Sequence, residues 1–186
     1  MKPCRTTAPR IGSFLPRTHL FEGKQFFTTA VIVIFALTAC EQSQAPTAEV
    51  VEEINGHATI IDGDSLQVGS TEIRLWGIDA VEFHQQCDLN GQSWPCGRKA
   101  KDALDQKTRD VSIRCQAKDT DRYNRIVAEC FKAGESLNAW MVCQGWALAY
   151  RRFTEKFLPD EQSARDSKRG IWQGAFEKPW DWRRNR

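Results

Sequence analysis

Residues 57–79 cannot form one helix. HATIID, SLQVG and TEIRLWGID are short β-forming runs set apart by Gly63 and by the Gly69–Ser70 pair, so the stretch reads as a three-strand meander. A second β-region follows a gap of about thirty residues. There Val111, Ile113, Cys115 and Ala117 alternate with Ser112, Arg114, Gln116 and Lys118, the period of a half-buried strand, and RIVAECFKAG (125–134) is its return, joined through TDRYN. A hairpin folding near Arg122 puts Cys115 opposite Cys130, within disulfide reach. GRKAKDALDQKTR (97–109) between the two regions carries Ala100, Ala103 and Leu104 at helical spacing. The turn-rich AVEFHQQCDLNGQSWPCG before it reads as a loop held by a Cys87–Cys96 disulfide. Downstream, Ser136 caps a helix with a core stripe of Leu137, Trp140 and Met141, leaving Cys143 as an odd thiol. A third helix over 155–170 has Pro159 in its first turn and stops at Gly170. Five short strands with a helix between the third and fourth indicate an α+β chain, a five-stranded OB-type Greek-key barrel with about three helices.

The first forty residues stand apart. Five Lys and Arg precede FFTTAVIVIFALTA (26–39), which is too short for a bilayer span of roughly 20 residues but suits the apolar region of a secretory signal. The run ends in LTAC, which resembles a bacterial lipobox and makes Cys40 the lipidated first residue of an exported protein. Ordinary cleavage or an uncleaved anchor fits the same pattern. The expected organisation is a signal over 1–39, a lipidated Cys40 with an acidic tether through 53, and one domain over 54–186. Removing the signal shifts the formal charge from +2 to −2, which excludes a basic nucleic-acid coat and leaves polyanion binding to locally placed arginines. Export favours oxidised cysteines.

The meander also holds a charge puzzle. Asp62, Asp64, Asp79 and Glu82 lie close to Arg74 in a strand that looks covered on both faces. Carboxylates meeting in a fold repel unless a cation joins them, so the stretch asks for a metal, a phosphate or both. Turn chemistry accounts for Asp62 equally well, but a covered Arg74 needs a partner. His57 and His84 are too few for a zinc cage. The tail IWQGAFEKPWDWRRNR, which mixes Trp and Arg, either stacks on bases or lids the domain.

IIDGDSL, IRLWGIDAVE, DTDRYNRIVAE, LNAWMVCQGWALAY and RGIW, in that order and spacing, resemble the staphylococcal nuclease (thermonuclease) family over about residues 57–175. The resemblance implies an OB-fold endonuclease that uses Ca²⁺ to hydrolyse DNA or RNA and leaves 3′-phosphates. It implies metal binding by Asp64, Asp79 and the Ala80 carbonyl, with Asp62 acting through water. Glu82 matches the carboxylate that orients or deprotonates the attacking water, and Arg74 and Arg125 match the arginines that grip the scissile phosphate. Tyr123 matches a phosphate-binding tyrosine, Arg122 stands where a lysine is usual, and Tyr150 matches a tyrosine beside the nucleoside. Val81 departs from the pattern, standing where many members have a proline that would stiffen the backbone before Glu82.

Two functions follow as alternatives: a calcium-dependent nuclease acting outside the cytoplasm, or an OB module that binds nucleic acid without cutting it. For either, the expected partners are DNA or RNA and, through Cys40, a membrane. The expected state is a monomer in the cell envelope or secreted.

Overall fold

The computed structural model describes residues 52–186; the expected signal and Cys40 lie outside the described residues. Strands β1 (Glu53–Ile60), β2 (Ser65–Val68) and β3 (Thr71–Leu75) form the meander, and β4 (Ile78–Ala80) follows it. Next come a small hairpin of β5 (Cys87–Leu89) and β6 (Gln92–Trp94), helix α1 (Cys96–Thr108), then β7 (Ser112–Thr120) and β8 (Ile126–Lys132). β9 (Glu135–Ser136), α2 (Leu137–Cys143), β10 (Ala147–Ala149), α3 (Leu158–Asp166), a 3-10 turn (Gly170–Gln173) and α4 (Pro179–Arg184) complete the domain.

The barrel closes because β1 pairs with both β2 and β7, β7 pairs with β8, and β8 lies parallel to β3 with Arg74 opposite Val127. Closure leaves no open edge among these five strands and encloses one core. Leu66, Ile73, Leu75 and Ile113 fill it, capped by Leu104 from α1 and by Leu137 and Met141 from α2, each with no more than 1% of its surface exposed. Ser136 caps α2 through the Ala139 N–H, as its sequence position requires.

Both expected disulfides are present. Cys115 and Cys130 are direct cross-strand partners with Cα atoms 4.0 Å apart, and Cys87 joins Cys96 over a Cα separation of 5.6 Å. Cys143 is disulfide-bonded too, which corrects the expectation of an odd thiol. Other differences are local. The first strand begins at Glu53 rather than His57, because pairing with β7 carries it back to Glu53 opposite Gln116. The disulfide loop contains the β5–β6 hairpin, α3 is shorter than 155–170, and part of the tail folds into a fourth helix beyond the three expected.

Candidate functional site

Arg74 is where the charge puzzle resolves. In β3 it is flanked by buried Ile73 and Leu75, with its own side chain one quarter exposed. The tight turn after Trp76 brings the chain back as β4. Gly77 makes that turn with φ +74°, and a Cβ there would press on Thr154 and Phe157 at 2.6 and 2.9 Å. Asp79 therefore returns to Arg74, whose Nη2 donates to Asp79 Oδ1 at 2.9 Å while Nη1 donates to Asp64 Oδ1 at 3.2 Å. Asp64 closes the turn between β1 and β2, where its N–H donates to Asp62 Oδ1 at 3.0 Å. Its Oδ2 accepts the Ala80 N–H at 2.9 Å, which ties this turn to β4.

Asp64 and Asp79 are almost wholly buried. Burial raises both above the ordinary carboxylate value of 3.8, while Arg74 pulls Asp64 down and the Arg183 hydrogen bonds pull Asp79 down. Arg183 comes from α4, more than 100 residues away in sequence. Its Nη1 and Nη2 fork onto Asp79 at 3.0 and 2.7 Å, and Nη1 also reaches Glu82 Oε1 at 2.5 Å. The Asp79 bonds, and then those to Glu82, raise the Arg183 pKa beyond its ordinary value.

Glu82 is held without a proline. Its N–H donates to Gln85 Oε1 at 3.1 Å, its carbonyl accepts the Gln85 N–H at 2.7 Å, and Gln85 Nε2 donates to the Glu177 carbonyl at 2.6 Å. Gln85 is fully buried and Val81 is 1% exposed. At the start of α1, Gly97 packs against this segment so closely that a Cβ would lie 1.7 Å from the Glu82 carbonyl oxygen.

The opposite wall is the β7–β8 turn. Asp121 accepts the N–H groups of Tyr123 and Arg125 and receives Arg125 Nε at 2.8 Å, so one carboxylate shapes the turn and aims the guanidinium. Burial pulls Asp121 up, but the Arg125 and backbone hydrogen bonds outweigh it and hold the carboxyl below 3.8. Arg122 donates to the Tyr123 hydroxyl at 2.7 Å, and both arginines face the Tyr123 ring.

A cleft of about 650 Å³ separates the walls. Asp62, Arg74, Asp79, Glu82 and Arg183 line one side; Arg122, Tyr123, Arg125 and Tyr150 line the rest. All the sequence-derived site residues within the described part are thus gathered at this cleft, with Asp64 and Ala80 just behind its wall. Sequence reasoning missed Arg183, Gln85 and Asp121. The Trp/Arg composition of the tail was a signal for the first, and Asp121 sits inside the quoted DTDRYN; nothing in the sequence marked Gln85.

Among the described residues, no three His, Cys, Asp or Glu side chains converge as a ready cation cage. Asp62, Asp64, Asp79 and Glu82 instead share Arg74 and Arg183, leaving two negative charges in excess. One divalent cation would balance them, and donors that are all oxygen suit a hard ion such as calcium. The donor set fits that ion.

Residues 72–174 match the family model described as staphylococcal nuclease homologue. The match starts after Asp64 and stops before Arg183. The succinoglycan biosynthesis protein ExoI of Rhizobium meliloti is 33% identical over 136 residues, covering 70% of each chain. The "probable staphylococcal-like nuclease CAN1" of Oryza sativa subsp. japonica is 30% identical over 127 residues, which are 67% of this chain but 36% of the rice protein. An "uncharacterized endonuclease" of Haemophilus influenzae is 28% identical over 169 residues, covering 87% and 85%.

Proposed function

The chain belongs to the staphylococcal nuclease family, and from that premise we propose that it is a calcium-dependent nuclease that hydrolyses phosphodiesters of DNA or RNA outside the cytoplasm. The observation that carries the reading is the meeting of Arg74, Asp64, Asp79 and Glu82 across one cleft from Arg125 and Tyr123.

The reaction needs water delivered to phosphorus and charge neutralised on the non-bridging oxygens. Glu82, held at its backbone by Gln85 and at its side chain by Arg183, takes the water's proton. Arg74 and Arg125 approach the phosphate from opposite walls and stabilise the charge that grows there in the transition state. Tyr123 and Arg122 bind a neighbouring phosphate, and Tyr150 lies beside the nucleoside. As the new P–O bond forms, the bond to the 5′-oxygen breaks; that oxygen takes a proton from solvent and leaves as the 5′-hydroxyl, and a 3′-phosphate remains. Asp64, Asp79 and the Ala80 carbonyl would hold the calcium, with Asp62 reaching it through water. Bound there, calcium would supply Lewis-acid chemistry to the phosphate and to water.

The Cys87–Cys96 and Cys115–Cys130 disulfides support an oxidising location, in keeping with a signal over 1–39 and lipid at Cys40. The chain is taken as a monomer. The test is cleavage of single- and double-stranded DNA and RNA with Ca²⁺ and with a chelator, for wild type, Asp64→Ala and Arg125→Lys. Cutting that needs calcium and falls about a hundredfold or more in the variants is expected. A folded domain that binds nucleic acid but cuts none, across divalent metals and pH, would leave the silent OB module as the function.

A further inference from the structure

Between Glu82 and α1 the chain leaves the barrel. The β5–β6 hairpin is a sheet of its own, built from two three-residue strands, and a bridge from Asp88 to Ala175 joins it to the tail. So small a hairpin does not hold its place in water unaided. The Cys87–Cys96 disulfide closes it, across a sequence separation of 9.

The disulfide sits between two contacts on Glu82. Gln85, just before Cys87, accepts the Glu82 N–H through Oε1 and donates its own N–H to the Glu82 carbonyl. Gly97, directly after Cys96, packs on that same carbonyl and donates its N–H to the Gln85 carbonyl at 3.2 Å. The S–S bond therefore ties the Gln85 side of the contact to the Gly97 side. The hairpin also carries the tail: Asp88 and Ala175 exchange backbone hydrogen bonds of 2.8 and 2.9 Å, and further along the tail Arg183 reaches the Glu82 carboxylate. Backbone and side-chain restraints on Glu82 thus both pass through the segment that Cys87–Cys96 closes.

The Cys115–Cys130 disulfide differs in both respects. Both of its cysteines are fully buried, and the β7–β8 ladder on either side holds those strands together without it. Cys87 instead lines an open surface hollow with Gln86, Asp88, Ser93 and Glu177 and keeps 4% of its surface exposed, whereas Cys96 has none. A thiol reagent reaches Cys87 first.

We infer that the Cys87–Cys96 pair is a redox modification site that controls the nuclease: the disulfide fixes Glu82 in its working position, and reduction by a dithiol releases it. Neither cysteine touches the substrate; they are positioning residues. Activation is exchange with the disulfide form of a dithiol oxidoreductase. The Cys87 thiolate attacks the donor disulfide and forms a mixed disulfide, the Cys96 thiolate then displaces the donor, and the S–S bond is made. The cysteines lose two protons and two electrons, and the donor leaves as a dithiol that has gained them. A chain still in a reducing compartment therefore holds an unassembled site. This rests on the nuclease reading and adds a control to it.

The test titrates the full chain with dithiothreitol, maps free thiols by alkylation and mass spectrometry, and measures cleavage at saturating Ca²⁺ on parallel aliquots without the alkylating agent. Cys87 and Cys96 are reduced before Cys115, Cys130 and Cys143, and in step with them kcat falls about tenfold while KM stays within about twofold. Oxidised dithiothreitol restores kcat. Cys87→Ser/Cys96→Ser has the low kcat from the start, and adding Val81→Pro, which restrains Glu82 independently of the hairpin, recovers about threefold or more. Should the serine variant fail to fold, the wild-type titration still decides. Activity lost in step with Cys115, Cys130 or Cys143, or full kcat with Cys87 and Cys96 reduced, overturns the control. Hydrogen exchange separates the two claims: reducing the pair speeds exchange of the Glu82, Gln85 and Gly97 amides about tenfold and leaves those of β2 unchanged. That response in a chain that cuts nothing refutes the nuclease reading but upholds the redox coupling; cleavage indifferent to the pair refutes only the control.

Discussion

Arg183→Ala removes the hydrogen bonds that the C-terminal helix makes to the acidic cluster. Three hydrogen bonds to two carboxylates are lost, and Asp79, 1% exposed, keeps only Arg74 as a charged partner. A hydrogen bond to a charged group is worth about 1.5–3 kcal/mol, but the Arg183 side chain is 40% exposed, so solvent screening brings the expected total down to about 2 kcal/mol for the set. For a domain of this size that lowers Tm by about 6–10 °C in chelator. Calcium offsets the loss, because a divalent ion supplies the missing positive charge, and calcorimetric titration should show it binding the variant at least as tightly as wild type. Activity does not recover with stability. Glu82 has lost its ion pair, and kcat falls about tenfold at saturating Ca²⁺ with KM little changed. A Tm in chelator within 1 °C of wild type would refute the reasoning about the cluster's charge. A rise in kcat would refute the supporting role, because Arg183 would then be obstructing the site.

Four further outcomes are expected. Arg74→Lys keeps the charge but loses the fork to Asp64 and Asp79, so kcat/KM for a single-stranded substrate falls about a hundredfold; a loss under threefold counts against bidentate use. Replacing Cys115 and Cys130 together by alanine opens a loop closed over 15 residues in the barrel wall and costs about 3 kcal/mol in urea unfolding. Asp121→Asn lowers Tm at neutral pH, but the gap from wild type closes on acidification. A carboxyl held below its unfolded value of 3.8 contributes its stability above that value and loses it as pH falls through the folded pKa; a gap unchanged at low pH counts against this. Gly97→Ala drives a Cβ onto the Glu82 carbonyl, which forces the backbone to shift and lowers both kcat and Tm, read by steady-state cleavage beside a thermal melt; an unchanged kcat counts against the packing.

How much of this could be read from the chain depends on the range of the interaction. The hairpin of β7 and β8 is a local pattern, a period of two with a turn between, and it placed Cys115 against Cys130 before any coordinates. The cluster at Arg74 was legible because burial and charge conflict within twenty residues of sequence. The parallel pairing of β3 with β8, which closes the barrel, leaves no local signature; it follows from strand order alone. Gln85 was beyond reach for the same reason, and the tail's composition marked Arg183 without marking its partner 104 residues away. An arginine in a tail of aromatic and basic residues reads equally as a solvated end, and a glutamine in a loop gives no sign of being fully buried under Glu82 and Glu177.

The missing proline at 81 shows what that reach hides. Proline before Glu82 would fix φ by covalent means and hold Ala80 extended, as β4 already does. Here the same restraint is spread over non-covalent contacts: Val81 sealed in the core, Gln85 bonded to the Glu82 N–H and carbonyl, and Gly97 packed on that carbonyl. If these contacts and a proline do the same job, they are redundant, and a double-mutant cycle can show it. Val81→Pro alone should leave kcat within about twofold and raise stability by about 0.4–1 kcal/mol, because it only stiffens the unfolded chain. Gln85→Leu alone leaves the Glu82 N–H without its acceptor and the Glu177 carbonyl without its side-chain donor, so the segment loosens and kcat falls about tenfold. In the double variant the proline takes over the restraint and kcat recovers at least threefold from the Gln85→Leu level. Strictly additive effects would mean that Gln85 acts on something other than the position of Glu82.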